Sequence, residues 1–81
     1  MEISDILKNY MKELKCTSKE LSKASNISET IISRYRTGNR IPSQNNLDKI
    51  IEGSTKLSNE KYTKEEITNT FKAAETPITI D

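Results

Sequence analysis

Arg34, Arg36 and Arg40 are the only arginines in the chain, and polar side chains stand close to them: Glu29, Thr30, Ser33, Thr37 and Asn39. A guanidinium presents five N–H donors in a fixed fork, which suits it to paired acceptors on a planar edge or a phosphate. A carboxylate only accepts, and a hydroxyl does either. These groups suit recognition by hydrogen bonding rather than the making of bonds. The residues that covalent chemistry needs are missing. There is no histidine and a single cysteine, and the chain has no glycine-rich phosphate loop, no metal-ligand cluster and no serine beside a base. We therefore read it as a binding protein and not an enzyme, with no cofactor and no metal.

Two short helical patterns must position those side chains. Thr17 and Glu20 have the S/T-x-x-E spacing of a capping box, so a helix should begin at Ser18. Leu21 is its one large apolar anchor, and Ser22 and Ala24 are small enough for a second helix to cross closely. Ser25-Asn26 breaks the pattern, since asparagine tolerates a left-handed backbone better than most residues. Ser28 can cap the next helix, which carries Ile27, Ile31, Ile32 and Tyr35 on one side. Its other side carries Glu29, Thr30, Ser33, Arg34 and Thr37, and Gly38 is the expected C-terminal cap. Residues 17–40 read as a helix-turn-helix.

The window from Ser18 to Thr37 resembles the helix-turn-helix of the lambda-repressor-like, or XRE, family of bacterial and phage regulators. In that pattern the core positions fall on Leu21, Ile27, Ile32 and Tyr35, with a small residue at Ser22 and the turn at Asn26. Two departures stand out: the family usually has glycine where this chain has Asn26, and an aliphatic residue where it has Ser25. The resemblance reaches over residues 3 to 53. It implies an all-α, five-helix domain in which the second and third helices form the motif. It also implies that the loop after Gly38 and the start of the fourth helix run along a DNA backbone, which suits Asn39, Arg40, Ser43 and Asn45.

The flanking elements follow from periodicity. Ile3, Ile6, Leu7, Tyr10, Met11 and Leu14 form a one-faced stripe, predicting a first helix over 5–15. Pro42 forbids helix at Ile41, Ser43 caps a fourth helix carrying Leu47, Ile50 and Ile51, and Gly53 is expected to stop it after Glu52. The polar stretch 54–62 reads as a connection. Thr63 and Glu66 repeat the capping box and open a fifth helix to Glu75, with a narrow apolar face of Ile67, Phe71 and Ala74. That face suits either the domain's own core or the same helix of a second subunit. Ile78 and Ile80 alternate with polar residues in a tail that reads as a frayed end or a strand awaiting a partner. The organisation is a helix-turn-helix core over 1–55, a linker and fifth helix over 56–75 for packing or dimerisation, and a tail over 76–81.

With 81 residues and only 32% hydrophobic side chains, the core must be modest. The net charge of +1 conceals an uneven distribution. Lys19, Lys23, Arg34, Arg36 and Arg40 face only Glu20 and Glu29 between residues 18 and 40, whereas residues 41 to 81 lean acidic. A basic patch behind a neutral total is compatible with a polyanionic partner. Cys16 cannot form an internal disulfide, and a small packing role in a reducing cytosol fits it. No apolar run reaches the length of a membrane span, so a cytoplasmic location is expected.

The expected function is sequence-specific binding of double-stranded DNA by a repressor-type transcriptional regulator. The helix over 28–37 would enter the major groove, using Ser28, Glu29, Thr30, Ser33 and Arg34, with Ser18, Arg36, Thr37, Asn39 and Arg40 beside them. A homodimer through Ile67, Phe71 and Ala74 would place two copies on a near-palindromic site. The alternative is a helix-turn-helix module that binds a protein, such as an antitoxin or a phage or host partner-binding protein.

Overall fold

The stripe along the N-terminal segment becomes helix α1 (Ile3–Leu14), with Ile3, Ile6, Leu7, Tyr10 and Met11 buried. In this computed structural model residues 2–74 are described; the expected strand or frayed end at Ile78 and Ile80, and the expected helix end at Glu75, fall outside them. Helix α1 stops at Lys15, which takes the left-handed conformation at φ 54°. There the Lys15 N–H donates to the Lys12 carbonyl and the Cys16 N–H to that of Met11, closing a Schellman motif without glycine.

Helices α2 (Ser18–Ser25) and α3 (Glu29–Thr37) follow the capping logic of the sequence. The Glu20 N–H donates to Thr17 Oγ1 at 3.1 Å, and the Thr17 N–H to Glu20 Oε1 at 3.0 Å. Asn26 then turns left-handed at φ 59° and ends α2. Across this corner the Ser22 hydroxyl donates to the Ile27 carbonyl, while the Ile27 N–H donates back to the Ser22 carbonyl. Ser22 is thus a stitch as well as a small residue. Ser28 Oγ accepts from the Ile31 N–H, and Gly38, at φ 81°, ends α3.

Helix α4 (Gln44–Leu57) departs from the expectation that Gly53 stops it. Gly53 lies inside the helix and is buried, and the expected boundary after residue 55 falls within α4 as well. A Cβ at Gly53 would lie 2.9 Å from the Ser25 nitrogen, 3.0 Å from Ser25 Cβ and 3.1 Å from the Ala24 carbonyl carbon. The glycine therefore serves a close crossing of α4 over the end of α2. Ser25 completes that crossing: where a larger residue would hold the helices apart, it is 4% exposed and donates to the Leu21 carbonyl at 2.6 Å.

Beyond Leu57 the chain turns at Asn59 and Glu60, both at positive φ. The buried Ser58 hydroxyl donates to the carbonyls of Thr55 and Tyr62 and ties the turn together. Helix α5 (Lys64–Lys72) opens with the second capping box, Thr63 with Glu66. Its face is spent within the protomer: Ile67 is 0% and Phe71 1% exposed, and Ala74 packs partly buried against the same core. Of the stripe read as suiting either the domain's own core or a second subunit, Ile67 and Phe71 are covered by α1 and α4 of the same protomer. Phe71 lies 5.9 Å from the Tyr10 ring, Tyr10 stands edge-on to Tyr62 at 5.6 Å, and Tyr10 OH donates to Thr70 Oγ1 at 2.9 Å. Leu7, Leu21, Ile32, Leu47 and Ile50 join Ile67 and Phe71 in one core that all five helices share.

Candidate functional site

Helix α3 is fixed on its apolar side and open on the other. Ile32 is 0% and Tyr35 2% exposed, and Tyr35 OH accepts from Asn46 Nδ2 of α4 at 2.8 Å. Rotation about the helix axis is therefore blocked by packing and by one directed hydrogen bond. On the opposite side Glu29, Thr30, Ser33 and Arg34 line one shallow groove of about 410 Å³. Glu29, Thr30 and Arg34 are exposed and Ser33 is half-buried. Among the described residues none of the three arginines is held in an ion pair; the pair that does form is Lys61 Nζ with Glu13 at 3.4 Å, away from α3. The donors of Arg34 are free for an external acceptor.

The remaining sequence-predicted residues divide by what their side chains already do. Ser28 Oγ is committed as acceptor to the Ile31 N–H at 3.2 Å, leaving its own hydrogen to donate outward. Thr37 Oγ1 donates to the carbonyls of Ser33 and Arg34 at 3.1 and 3.2 Å, which leaves it mainly an acceptor. Ser18 sits half-buried in the first turn of α2, where backbone N–H groups point outward. Asn39 and Arg40 are exposed beyond Gly38, and the Arg40 N–H donates to the Arg34 carbonyl at 3.3 Å. Together with Ile41 and Asn46 they line a larger groove of about 600 Å³. Ser43 also lines that groove but is only 7% exposed, and its Oγ caps α4 as expected by accepting from the Asn46 N–H. Arg36 is half-buried on the flank of α3 that faces α1, apart from Arg34.

Two features of this surface escaped the sequence. Ile41, 40% exposed, is the large hydrophobic residue left uncovered among the described residues. Its place after Arg40 and before Pro42 gave no periodic signal. Lys8 and Lys12 of α1 share a groove with Arg36 and Thr37; their i, i+4 spacing was visible, but not the helix beside them.

Burial, and next the Glu20 carboxylate, push the Cys16 thiol up from its ordinary value, which favours the neutral form. Among the described residues no group of three histidine, cysteine or carboxylate side chains is placed to hold a metal ion. No helix among them is long and apolar enough to cross a membrane. A family model described as helix-turn-helix matches residues 7–53, more than half of the chain. No curated protein and no solved structure matches it.

Proposed function

Because this chain belongs to the lambda-repressor-like, XRE-type family of helix-turn-helix DNA-binding regulators, we propose that it is a sequence-specific, repressor-type transcriptional regulator reading the major groove with α3. The family is a regulatory one and not an enzyme family. The observation that carries the reading is the grouping of Glu29, Thr30, Ser33 and Arg34 on one open groove, on a helix locked from behind by Tyr35 and Asn46.

In this reading the N-terminal turns of α3 meet base edges. Glu29 accepts from a cytosine amino group, and Arg34 binds guanine with two parallel hydrogen bonds. Thr30 and Ser33 adjust to either polarity. Ser28 joins them at the N-terminal end of α3, while Ser18 at the start of α2, with Arg36, Thr37, Asn39 and Arg40, holds phosphates and sets the register. One module makes few contacts, so tight binding takes two copies with recognition helices ~34 Å apart on a near-palindrome. Their contact uses surfaces other than the Ile67 and Phe71 stripe, which the protomer itself covers.

The test is binding of the purified protein to random and selected duplexes at two salt concentrations, with Arg34→Ala and Arg40→Ala in parallel. Arg34→Ala should relax the selected sequence at one position, at about 1–3 kcal/mol, and Arg40→Ala should weaken all duplexes alike. Absence of duplex binding at low salt would sink the reading and favour a protein partner.

A further inference from the structure

Helix α1 has a polar face as well as the apolar stripe that enters the core. Lys8 and Lys12 lie one turn apart on it, both exposed. They converge with Arg36 and Thr37 of α3 on a shallow groove of about 480 Å³, floored by Met11 and Cys16. Three cations and no carboxylate line it. None of the three is held by an ion pair among the described residues. The neighbouring acids are not part of its lining, though the Glu20 carboxylate is felt at Cys16 on its floor. Glu20 is bound to the Thr17 N–H in the capping box, and Glu13 is engaged by Tyr62 and Lys61 at the junction of α1 with α5. Asp5, one turn before Lys8, is exposed outside the groove lining.

Such a cluster is repulsive within the folded protomer and is relieved by a polyanion. The position of the cluster says which part of the polyanion it meets. An α-helix with its side chains is ~10–12 Å across, about the ~12 Å width of the major groove, so residues on the flanks of a groove-bound helix face the phosphates on either side. Arg36 is on the flank of α3 towards α1, and Thr37 adjoins both this groove and the reading face. Arg40 follows the same C-terminal end of α3, beyond the Gly38 cap, and lines a different groove.

Resting on the regulator reading above, we infer that Lys8 and Lys12 of α1, with Arg36, form a phosphate-binding wall that grips one DNA strand beside α3. The wall carries no base preference. Lysine ammonium groups act there as point charges on flexible stems, so they tolerate any sequence and contribute through counterion release. Arg36, partly buried at the bottom, is the positioned member of the three.

The experiment is a salt titration of duplex binding for the wild type, for Lys8→Gln/Lys12→Gln, and for Lys64→Gln/Lys72→Gln, which removes equal charge from exposed sites on α5. Each phosphate neutralised contributes about −0.9 to the slope of log affinity against log salt. The α1 double variant should therefore lose about 1.8 from the slope for each bound copy, about 3.6 for the two-copy complex. Its deficit against wild type should shrink roughly tenfold per bound copy between 50 and 200 mM salt, on the order of a hundredfold for two copies. Random and selected duplexes should suffer equally, and the selected sequence should not change. Lys8→Arg/Lys12→Arg should restore the slope. An α1 variant whose slope matches wild type or the α5 variant overturns the wall while leaving the regulator reading intact. A wild type that binds no duplex overturns both.

Discussion

Replacing Gly53 by alanine tests the α2–α4 crossing directly, because helix propensity and packing predict opposite signs. In an open helix interior the change stabilises by about 0.5–1 kcal/mol, through the backbone freedom that glycine loses on folding. Here the new methyl would meet the Ser25 nitrogen at 2.9 Å and the Ala24 carbonyl carbon at 3.1 Å. Both are backbone atoms of α2, so no rotamer change relieves the clash and the two helices must separate. Overpacking of this kind costs about 1–3 kcal/mol. The net expectation is a loss of about 1–2 kcal/mol, which lowers the melting midpoint of a domain this size by roughly 4–15 °C. Urea unfolding followed by circular dichroism reads the change as a lower midpoint at unchanged slope. Adding Ser25→Gly should not restore it, since only the 3.0 Å contact to Ser25 Cβ disappears. A Gly53→Ala protein as stable as wild type, or more so, would refute the argument and return Gly53 to the role of a weak point in a helix.

Two further outcomes follow from α5 and its surroundings. Phe71→Ala should cost about 3–5 kcal/mol, read from urea midpoints, because a 1% exposed ring against Tyr10 leaves a cavity that the core cannot fill; a change under 1 kcal/mol would mean that α5 is an appendage. The Tyr62 hydroxyl, and then Lys61, hold the Glu13 carboxyl below its ordinary value against a smaller opposing effect of desolvation, so Glu13 contributes stability above its unfolded pKa and loses it as pH falls through the lower folded value. The stability difference between wild type and Glu13→Gln, followed by urea midpoints from pH 7 to pH 3, should therefore shrink towards acid.

The parts of this fold that could be read from the sequence are those decided within one turn of chain. The two capping boxes at Thr17 and Thr63 form because both partners sit three residues apart. Asn26 adopts the left-handed corner because its side chain lowers the local cost, whatever packs nearby. Gly53 misled because a glycine after an apolar stripe signals a helix end and a close crossing equally well. Only the position of α2 decides between them. The destination of Ile67 and Phe71 has the same origin: one narrow stripe suits a neighbour in the same chain or in another, and Tyr10, far off in sequence, supplies the answer. On the candidate site, the outward order of Glu29, Thr30, Ser33 and Arg34 was legible from helical periodicity. The separation of Arg36 from Arg34, the burial of Ser43 and the approach of Lys8 and Lys12 depend on which helices lie alongside, which periodicity does not encode.

The hydrogen bond from Tyr10 to Thr70 closes a loop of 60 residues, the longest span among the side-chain ties described. Closing it costs more chain entropy than the neighbouring contacts among α2, α3 and α4, and α5 returns only two fully buried side chains for it. The expected order of assembly is that α2 settles on α4 and α3 on α2 early, and that α5 docks on α1 late. Opening is expected to run in reverse, with α5 detaching from α1 and α4 before α3 loosens. Amide exchange would record this as a gradient of protection, lowest in α5 and highest around Ile32 and Ile50.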